Sequence, residues 1–218
     1  MSIRLVHIAP ATILLLTFWG CTVTQSNQTS PGNSTGATPT PIQSSYNSKS
    51  DRPETKTATI SIEGEETPIN LRLYQEYSQL FTTYYPDEDF ISEGVSSGEG
   101  TGVRFISNFD GNKNEDAYVS FSFLNSFQTL EQLRNFVNGA SGLIASNGWQ
   151  IVNQTQDASY PWSQEQIVFR EGQDITGVIY LGEQNGKVFY AVTHYPLEYG
   201  DGFAPRADFI LQNLQVSE

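Results

Sequence analysis

Cysteine, histidine and basic residues are scarce in this 218-residue sequence, and each shortage excludes a class of structure or function. The single cysteine, Cys21, excludes an internal disulfide. His7 lies in an N-terminal apolar segment, so His194 is the only histidine beyond it, which excludes a zinc site with two or three histidines. The 24 acidic residues outnumber the 11 basic ones and repel phosphate groups, so we predict no nucleic acid partner.

The common catalytic motifs are also absent. The sequence has no Gly-x-Ser-x-Gly, no Gly-x-x-x-x-Gly-Lys-Ser/Thr, no Gly-x-Gly-x-x-Gly after a strand, no His-Glu-x-x-His and no cysteine pair. We therefore predict that the protein is not an enzyme. One alternative stays open, an envelope enzyme that acts on glycans through paired carboxylates, because pairs such as Asp87 and Asp89 occur in the acidic part of the chain.

Residues 1–20 have the three parts of an export signal. Arg4 supplies a positive charge, an apolar run shorter than a membrane span follows, and the small Gly20 precedes Cys21. The four residues Phe18-Trp19-Gly20-Cys21 resemble the lipobox of bacterial lipoproteins at Gly20 and Cys21, whereas Phe18 and Trp19 are bulkier than usual there. The resemblance implies lipid on Cys21 after cleavage, and an ordinary cleaved signal is the alternative.

Two regions of different composition follow the signal. Residues 21–57 are rich in Ser, Thr, Asn, Gln, Pro and Gly, and they cannot bury enough apolar surface to offset their ordering entropy. We predict a disordered tether there, with a reach of about 30–35 Å. Residues 58–218 are richer in aromatic and β-branched side chains and are long enough for one domain. Their 22 acidic and 7 basic residues give a net charge of −15, so the predicted domain is acidic.

Hydropathy patterns in residues 58–218 predict mainly antiparallel strands. Alternation on both sides of Gly64 predicts an initial hairpin, and a short extended run is predicted over Leu80–Pro86. Residues 86–90 and 92–102 are predicted loops because acidic residues and glycines are frequent in them. Six further strands are predicted over Val103–Ser107, Ala117–Phe123, Trp149–Thr155, Gln164–Arg170, Ile175–Gly182 and Lys187–Tyr195.

Two helices complete the predicted fold. Thr129 and Gln132 form a capping-box pattern in front of a helix predicted over Leu130–Ser146. Pro205 is placed at the start of a C-terminal helix. The predicted class is α+β, an antiparallel sheet with one mid-chain and one C-terminal helix packed on it.

Five segments of the domain resemble the PsbP-like proteins, which include lipid-anchored cyanobacterial relatives of a photosystem II extrinsic protein. They are Phe81–Pro86, Val103–Ile106, Gly177–Gly182, Val188–Thr193 and Phe209–Leu214. The resemblance implies a Mog1-type α/β/α sandwich and an accessory protein that binds partner proteins or metal ions. It supplies no site residues, because none of the family's binding positions matches this sequence residue by residue.

Two stretches carry candidate ligand-binding residues. Asp110, Asn112, Asn114 and Asp116 alternate like the oxygen ligands of a calcium loop, although the glycine and glutamate of an EF-hand are missing. Calcium is therefore the candidate cofactor, and the alternative is a polar hairpin turn. Five aromatic residues form a predicted stacking platform for a glycan or peptide, or else fill the edge of the core: Tyr160, Trp162, Tyr195, Tyr199 and Phe203.

His194 and Arg206 are predicted to have structural roles. His194 lies at a strand end, where a hydrogen-bonded histidine is expected, and no serine is marked by a motif as its catalytic partner. Arg206 is predicted to pair with Asp201. The sequence thus predicts a non-catalytic accessory lipoprotein, anchored through Cys21 on the outer side of a bacterial membrane and facing the periplasm, lumen or exterior. Its predicted partners are the membrane and an unidentified envelope protein.

Overall fold

Residues 51–157 and 159–218 are described by a computed structural model. The predicted signal peptide, Cys21 and residues 22–50 of the predicted tether lie outside these residues.

A small antiparallel sheet contains the N-terminal hairpin and the last strand. Its strands are β1 (Thr55–Ile62), β2 (Glu65–Tyr74), β3 (Phe81–Tyr85) and β11 (Gln215–Val216), in the order β1-β2-β3-β11. The predicted hairpin is confirmed, with its turn at Glu63 and Gly64. The strand begins at Thr55, three residues before the predicted start of the domain at Ala58. Pairing with Asn70, Leu71 and Arg72 on β2 explains this earlier start.

A larger sheet of seven antiparallel strands forms the rest of the β structure. The strands are β4 (Phe90–Ser97), β5 (Gly100–Phe109), β6 (Asn112–Leu124), β7 (Gln150–Thr155), β8 (Ser163–Glu171), β9 (Ile175–Gln184) and β10 (Lys187–Pro196). Their order is β4-β5-β6-β10-β9-β8-β7. The last four strands were predicted within a few residues, because alternating hydropathy and short polar turns mark them.

The predicted loops over residues 86–90 and 92–102 are wrong for most of their length. Residues 90–97 and 100–109 form the β4–β5 hairpin. Gly94 does not mark a loop. It allows the Tyr77 ring to approach the backbone of β4, since a Cβ atom at this position would lie only 2.6 Å from a ring carbon of Tyr77. Glycine in a strand commonly has this role, and a composition-based prediction cannot distinguish it from a turn.

Three α-helices are present in the described residues, at α1 (Leu130–Asn138), α2 (Leu143–Ser146) and α3 (Gly200–Gln212). The predicted capping box is confirmed, but the single mid-chain helix is wrong. The helix breaks because the chain folds back at Gly142, where any Cβ atom would overlap the Phe136 carbonyl oxygen. The C-terminal helix begins at Gly200 rather than at Pro205, after a short 3-10 helix at Leu197–Tyr199.

The large sheet has an inner face and an outer face. The inner face packs on the small sheet and on α3 in one aromatic-rich core, with side chains such as Phe81, Phe105, Phe121, Phe189 and Phe203. The outer face packs on α1 and α2 mainly over β8, β9 and β10, through Leu133, Val137, Ile144, Ile167, Phe169, Ile179, Leu181 and Val192. The fold is thus mostly antiparallel sheet with helices packed on it. It only roughly matches an α/β/α sandwich, because a second sheet shares the inner core with α3.

None of the helices in the described part of the chain has the length and hydrophobicity of a membrane span.

Candidate functional site

The half of the outer face formed by β4, β5 and β6 has an open trough, and the strand register sets its floor. Gly102 on β5 lies opposite Ser122 on β6, and Ser122 lies opposite Tyr190 on β10. The next row places Arg104 opposite Ser120. Because alternate residues point to one face of a sheet, small side chains from neighbouring strands meet there and leave a depression.

Larger residues form the walls of this trough, which has a volume of about 530 Å³. Leu143, Asn147 and Trp149 line the side next to α2, and Glu93 and Val95 of β4 line the opposite side. Val95 is 70% exposed, the highest value among the large exposed hydrophobic residues of the described chain. The trough therefore combines hydroxyl groups on its floor with apolar groups at its rim, a mixture typical of binding sites.

The charged groups at the trough are paired with one another. The Arg104 guanidinium lies 4.0 Å from the centre of the Tyr118 ring and donates a 2.9 Å hydrogen bond to the Glu115 carbonyl oxygen. Lys113 bridges Glu93 and Glu115 at 2.6 and 2.7 Å. The hydrogen bond from Lys113 lowers the pKa of Glu115. These contacts hold the end of the β5–β6 hairpin against β4.

His194 lies beside the trough, against the Tyr118 and Trp149 rings, and has the structural role that the sequence predicts. It is 5% exposed, its Nδ1 lies 2.8 Å from the Asp116 carbonyl oxygen, and its Nε2 lies 2.8 Å from a Glu171 carboxylate oxygen. Both ring nitrogens are thus within hydrogen-bond distance of a protein oxygen. Neither nitrogen is left to accept a proton from a hydroxyl nucleophile.

Glu171 connects this histidine to the wall of the trough. Its carboxylate also accepts a 2.9 Å hydrogen bond from the Trp149 indole nitrogen. The hydrogen bond from His194, together with that from Trp149, lowers the pKa of Glu171. The Tyr118 ring stacks on His194 with a centroid distance of 4.9 Å. Tyr118 and Trp149, two aromatic walls of the trough, thus contact one polar cluster formed by His194 and Glu171.

The five predicted platform residues are not an exposed platform. Trp162 and Phe203 are 1% and 0% exposed, and the Trp162 indole donates a 3.0 Å hydrogen bond to the Leu211 carbonyl oxygen. Tyr160 is buried against Trp162 and donates a hydrogen bond to Asp208 at 2.9 Å. Tyr195 and Tyr199 are half-buried against Phe203 and Phe109. The alternative interpretation, that these residues fill the edge of the core, describes them better.

The candidate glycosidase carboxylates are in ion pairs. Asp87 lies 3.5 Å from Arg72, and Asp89 lies 2.7 Å from Arg206. The predicted Arg206–Asp201 pair is wrong, because β4 places Asp89 beside α3. With Trp162 buried, no exposed aromatic side chain of the predicted platform accompanies these acids to hold a sugar ring.

The candidate calcium ligands do not form a loop. The turn consists of Asp110 and Gly111, both at positive φ, and Asn112, Asn114 and Asp116 lie within β6. Asn114 accepts a hydrogen bond from the Asp116 backbone N–H, and Asp116 lies in the bulge between Asn114 and Tyr118. The described residues contain no group of three or more His, Cys, Asp or Glu able to hold a metal ion. Calcium binding by these residues stays a prediction.

Sequence reasoning missed the trough. Its signal was present in the alternation of Ser120 and Ser122 with Val119, Phe121 and Phe123, which marks a strand with one polar face. Val95 and Gly102 fell in the predicted loop. The β4–β5 register places Val95 beside Gly102, and the β5–β6 register places Gly102 beside Ser122. Local patterns give neither register.

No family model and no curated protein matches this chain. Among solved structures, it is similar to the solution structure of cyanobacterial PsbP (CyanoP) from Synechocystis sp. PCC 6803. The identity is 17%, the match covers 67% of this chain and 92% of the PsbP chain, and the TM-score is 0.45. The neighbour belongs to the family that the sequence segments resemble.

Proposed function

We propose that the protein is a non-catalytic accessory lipoprotein that binds a protein partner in the open trough of the large sheet. The observation that carries the proposal is the trough itself, an exposed mixed surface whose charged and titratable neighbours already have structural partners. Arg104, Lys113 and His194 are each engaged in contacts that position β4, β6 or the trough wall. Such a surface is suited to binding, because catalysis needs a group that is free to exchange a proton or attack a substrate.

The location of the protein is a further part of the proposal. The lipobox-like residues Phe18–Cys21 support cleavage before Cys21 and lipid attachment there. Because a single acyl chain gives only marginal membrane binding, a stable anchor needs at least two chains. Residues 22–50 would then tether the acidic domain on the outer side of a bacterial membrane.

Membrane fractionation of tagged full-length protein tests the anchor. We expect the wild type in the membrane fraction and the Cys21→Ala variant in the soluble fraction. Equal partition of both proteins would contradict lipid attachment at Cys21.

A second experiment tests the trough independently of the anchor. Ser122→Leu fills the floor of the trough, whereas Ser122→Ala keeps it open, so cross-linking in the envelope followed by affinity capture should lose its main product only with leucine. Loss with both variants, or with neither, would contradict binding in the trough.

A further inference from the structure

We propose that the edge strand β4 is the docking site for an extended segment of a basic partner protein, paired with β4 through the backbone. This inference rests on the proposed binding function and specifies the chemistry of the partner. The segment would direct apolar side chains toward the trough and Lys or Arg side chains toward an acidic cavity on the other face.

The first observation is that β4 is an unprotected edge. It is the first strand of the large sheet, and β5 is its neighbour there among the described residues. Edge strands usually carry lysine, proline or a bulge that prevents further pairing. The eight residues of β4 contain neither lysine nor proline, and they pair with β5 in one continuous register.

The second observation is the apolar character of the outer side of this edge. Ile91 and Val95 alternate on the outer face and are 38% and 70% exposed. The one charged residue of the strand, Glu93, lies between them and is paired with Lys113 at 2.6 Å. An added strand would place every second side chain beside these residues and the trough.

The third observation is the acidic cavity on the inner side of the same strand. This cavity has a volume of about 970 Å³, and Ser92 of β4 lies in its wall. Glu76 and Asp87 line it, and Arg72, which is paired with Asp87 at 3.5 Å, is its basic residue. The two cavities therefore flank one strand and differ in chemistry.

The occupant follows from this difference. A strand that pairs with β4 projects its side chains alternately to the two faces, so a repeat of apolar and basic residues fits both cavities. The 24 acidic and nine basic residues of 51–218 give a net charge of −15, which attracts a basic segment. A second copy of the chain fits poorly, because self-pairing of β4 joins two domains of this charge and adds no basic residue.

The test uses the full chain and the synthetic peptide Ac-VKVKVKV-NH2, with Ac-VEVEVEV-NH2 as the charge control. Hydrogen exchange with mass spectrometry should show slower exchange of residues 90–97 with the lysine peptide. We expect its affinity to exceed that of the glutamate peptide by about tenfold or more at low salt, because the attraction is electrostatic. Protection without a difference between the peptides would overturn the charge argument, and no protection of β4 would overturn the docking site.

Matched variants locate the binding. Val95→Pro should abolish protection, whereas Val152→Pro on the opposite edge strand, also at an exposed valine, should not. Glu76→Gln should weaken the lysine peptide about two- to fivefold, as expected for one exposed ion pair, and Glu63→Gln at the distant β1–β2 turn should not. Glu76 is exposed, so its substitution leaves the fold intact. The comparison of Glu76→Gln with Glu63→Gln therefore tests the binding site even if Val95→Pro unfolds the domain.

Two outcomes would separate this inference from the proposed function. In the first, the lysine peptide protects β4, but the Cys21→Ala variant stays in the membrane fraction. This result would support the docking site and contradict lipid anchoring at Cys21. In the second, Ser122→Leu abolishes capture in the envelope, but the lysine peptide does not protect β4. This result would support binding in the trough and overturn the pairing of an added strand with β4. If β4 becomes protected as the protein concentration rises, without any peptide, the occupant of β4 is a second copy of the chain instead.

Discussion

The two halves of the outer face of the large sheet differ in what covers them. Over β8–β10, the side chains are large and apolar, as at Ile167, Phe169 and Ile179, and α1 and α2 cover them. Over β5 and β6, the corresponding positions are Gly102, Ser120 and Ser122, and a trough remains. The inner face of the same strands is largely apolar, with Val103, Phe105 and Phe121. One sheet therefore has both a covered and an open surface, and the side chains on its outer face determine which half is which.

The largest effect is expected from Phe169→Ala in the covered half. Phe169 is fully buried and stacks on Trp149 at a centroid distance of 4.1 Å. Truncation should lower the free energy of unfolding by about 3–5 kcal/mol, because it removes buried apolar area and leaves a cavity. Urea denaturation measures this loss, and a change below about 1 kcal/mol would show that α2 and Trp149 collapse onto the space.

A smaller loss of unfolding free energy is expected when α1 loses its polar contact with Glu165 on the covered half of the sheet. Glu165 is 2% exposed and accepts hydrogen bonds from Arg134 of α1 at 2.7 Å and from Gln154 of β7 at 2.5 Å. Glu165→Gln should lower the unfolding free energy by about 1–3 kcal/mol, because it leaves a donor without a charged acceptor. The exposed Glu131→Gln on the same helix serves as the control, and equal losses for both would mean that the contact does not hold α1.

The boundary between the halves should be sensitive to acid. The pKa of Glu171 is lowered in the folded protein, so its contribution to stability is present above its usual value of 4.5 and is lost as the pH falls through the lower folded value. Its side chain is 43% exposed, so Glu171→Gln should cost about 1 kcal/mol or less at pH 7. The melting temperatures of variant and wild type should converge once the pH has fallen through the lowered pKa of Glu171. A constant difference from pH 7 to pH 3 would contradict this linkage.

The smallest effect is expected in the open half. Ser122→Ala removes a hydroxyl from the trough floor and should change the unfolding free energy by no more than about 0.5 kcal/mol. The same denaturation series measures it beside Phe169→Ala. A loss as large as that of Phe169→Ala would show that the floor is part of the core, and the contrast between the halves would fail.

Much of the local structure could be predicted from the sequence. Thr129 and Gln132 marked the start of α1, and the turns at Gly172 and Gly186 separated β8, β9 and β10. These features depend on a few neighbouring residues. The β4–β5 hairpin could not be predicted, because its glycines resemble loop residues and their role depends on Tyr77 from another part of the chain.

The candidate site was less predictable than the fold. The sequence pointed to five aromatic residues and to the turn at Asp110, but Trp162 and Phe203 lie in the core and the turn residues belong to a hairpin. An aromatic side chain between polar residues has the same local pattern in a core as on a surface. Its burial depends on α3, which packs on it from the end of the chain.

The sequence by itself determined the acidic charge, the lack of common catalytic motifs, the lipobox-like residues at Cys21 and the alternation of strands such as β6 between a polar and an apolar face. These properties are local or additive, so they need no knowledge of the fold. Only the tertiary structure decided which polar faces meet. Gly102 and Ser122 are 20 positions apart, and the antiparallel register of β5 and β6 places them side by side. The trough exists because α1 and α2 pack over β8–β10 and leave those rows uncovered, with α2 forming only one wall.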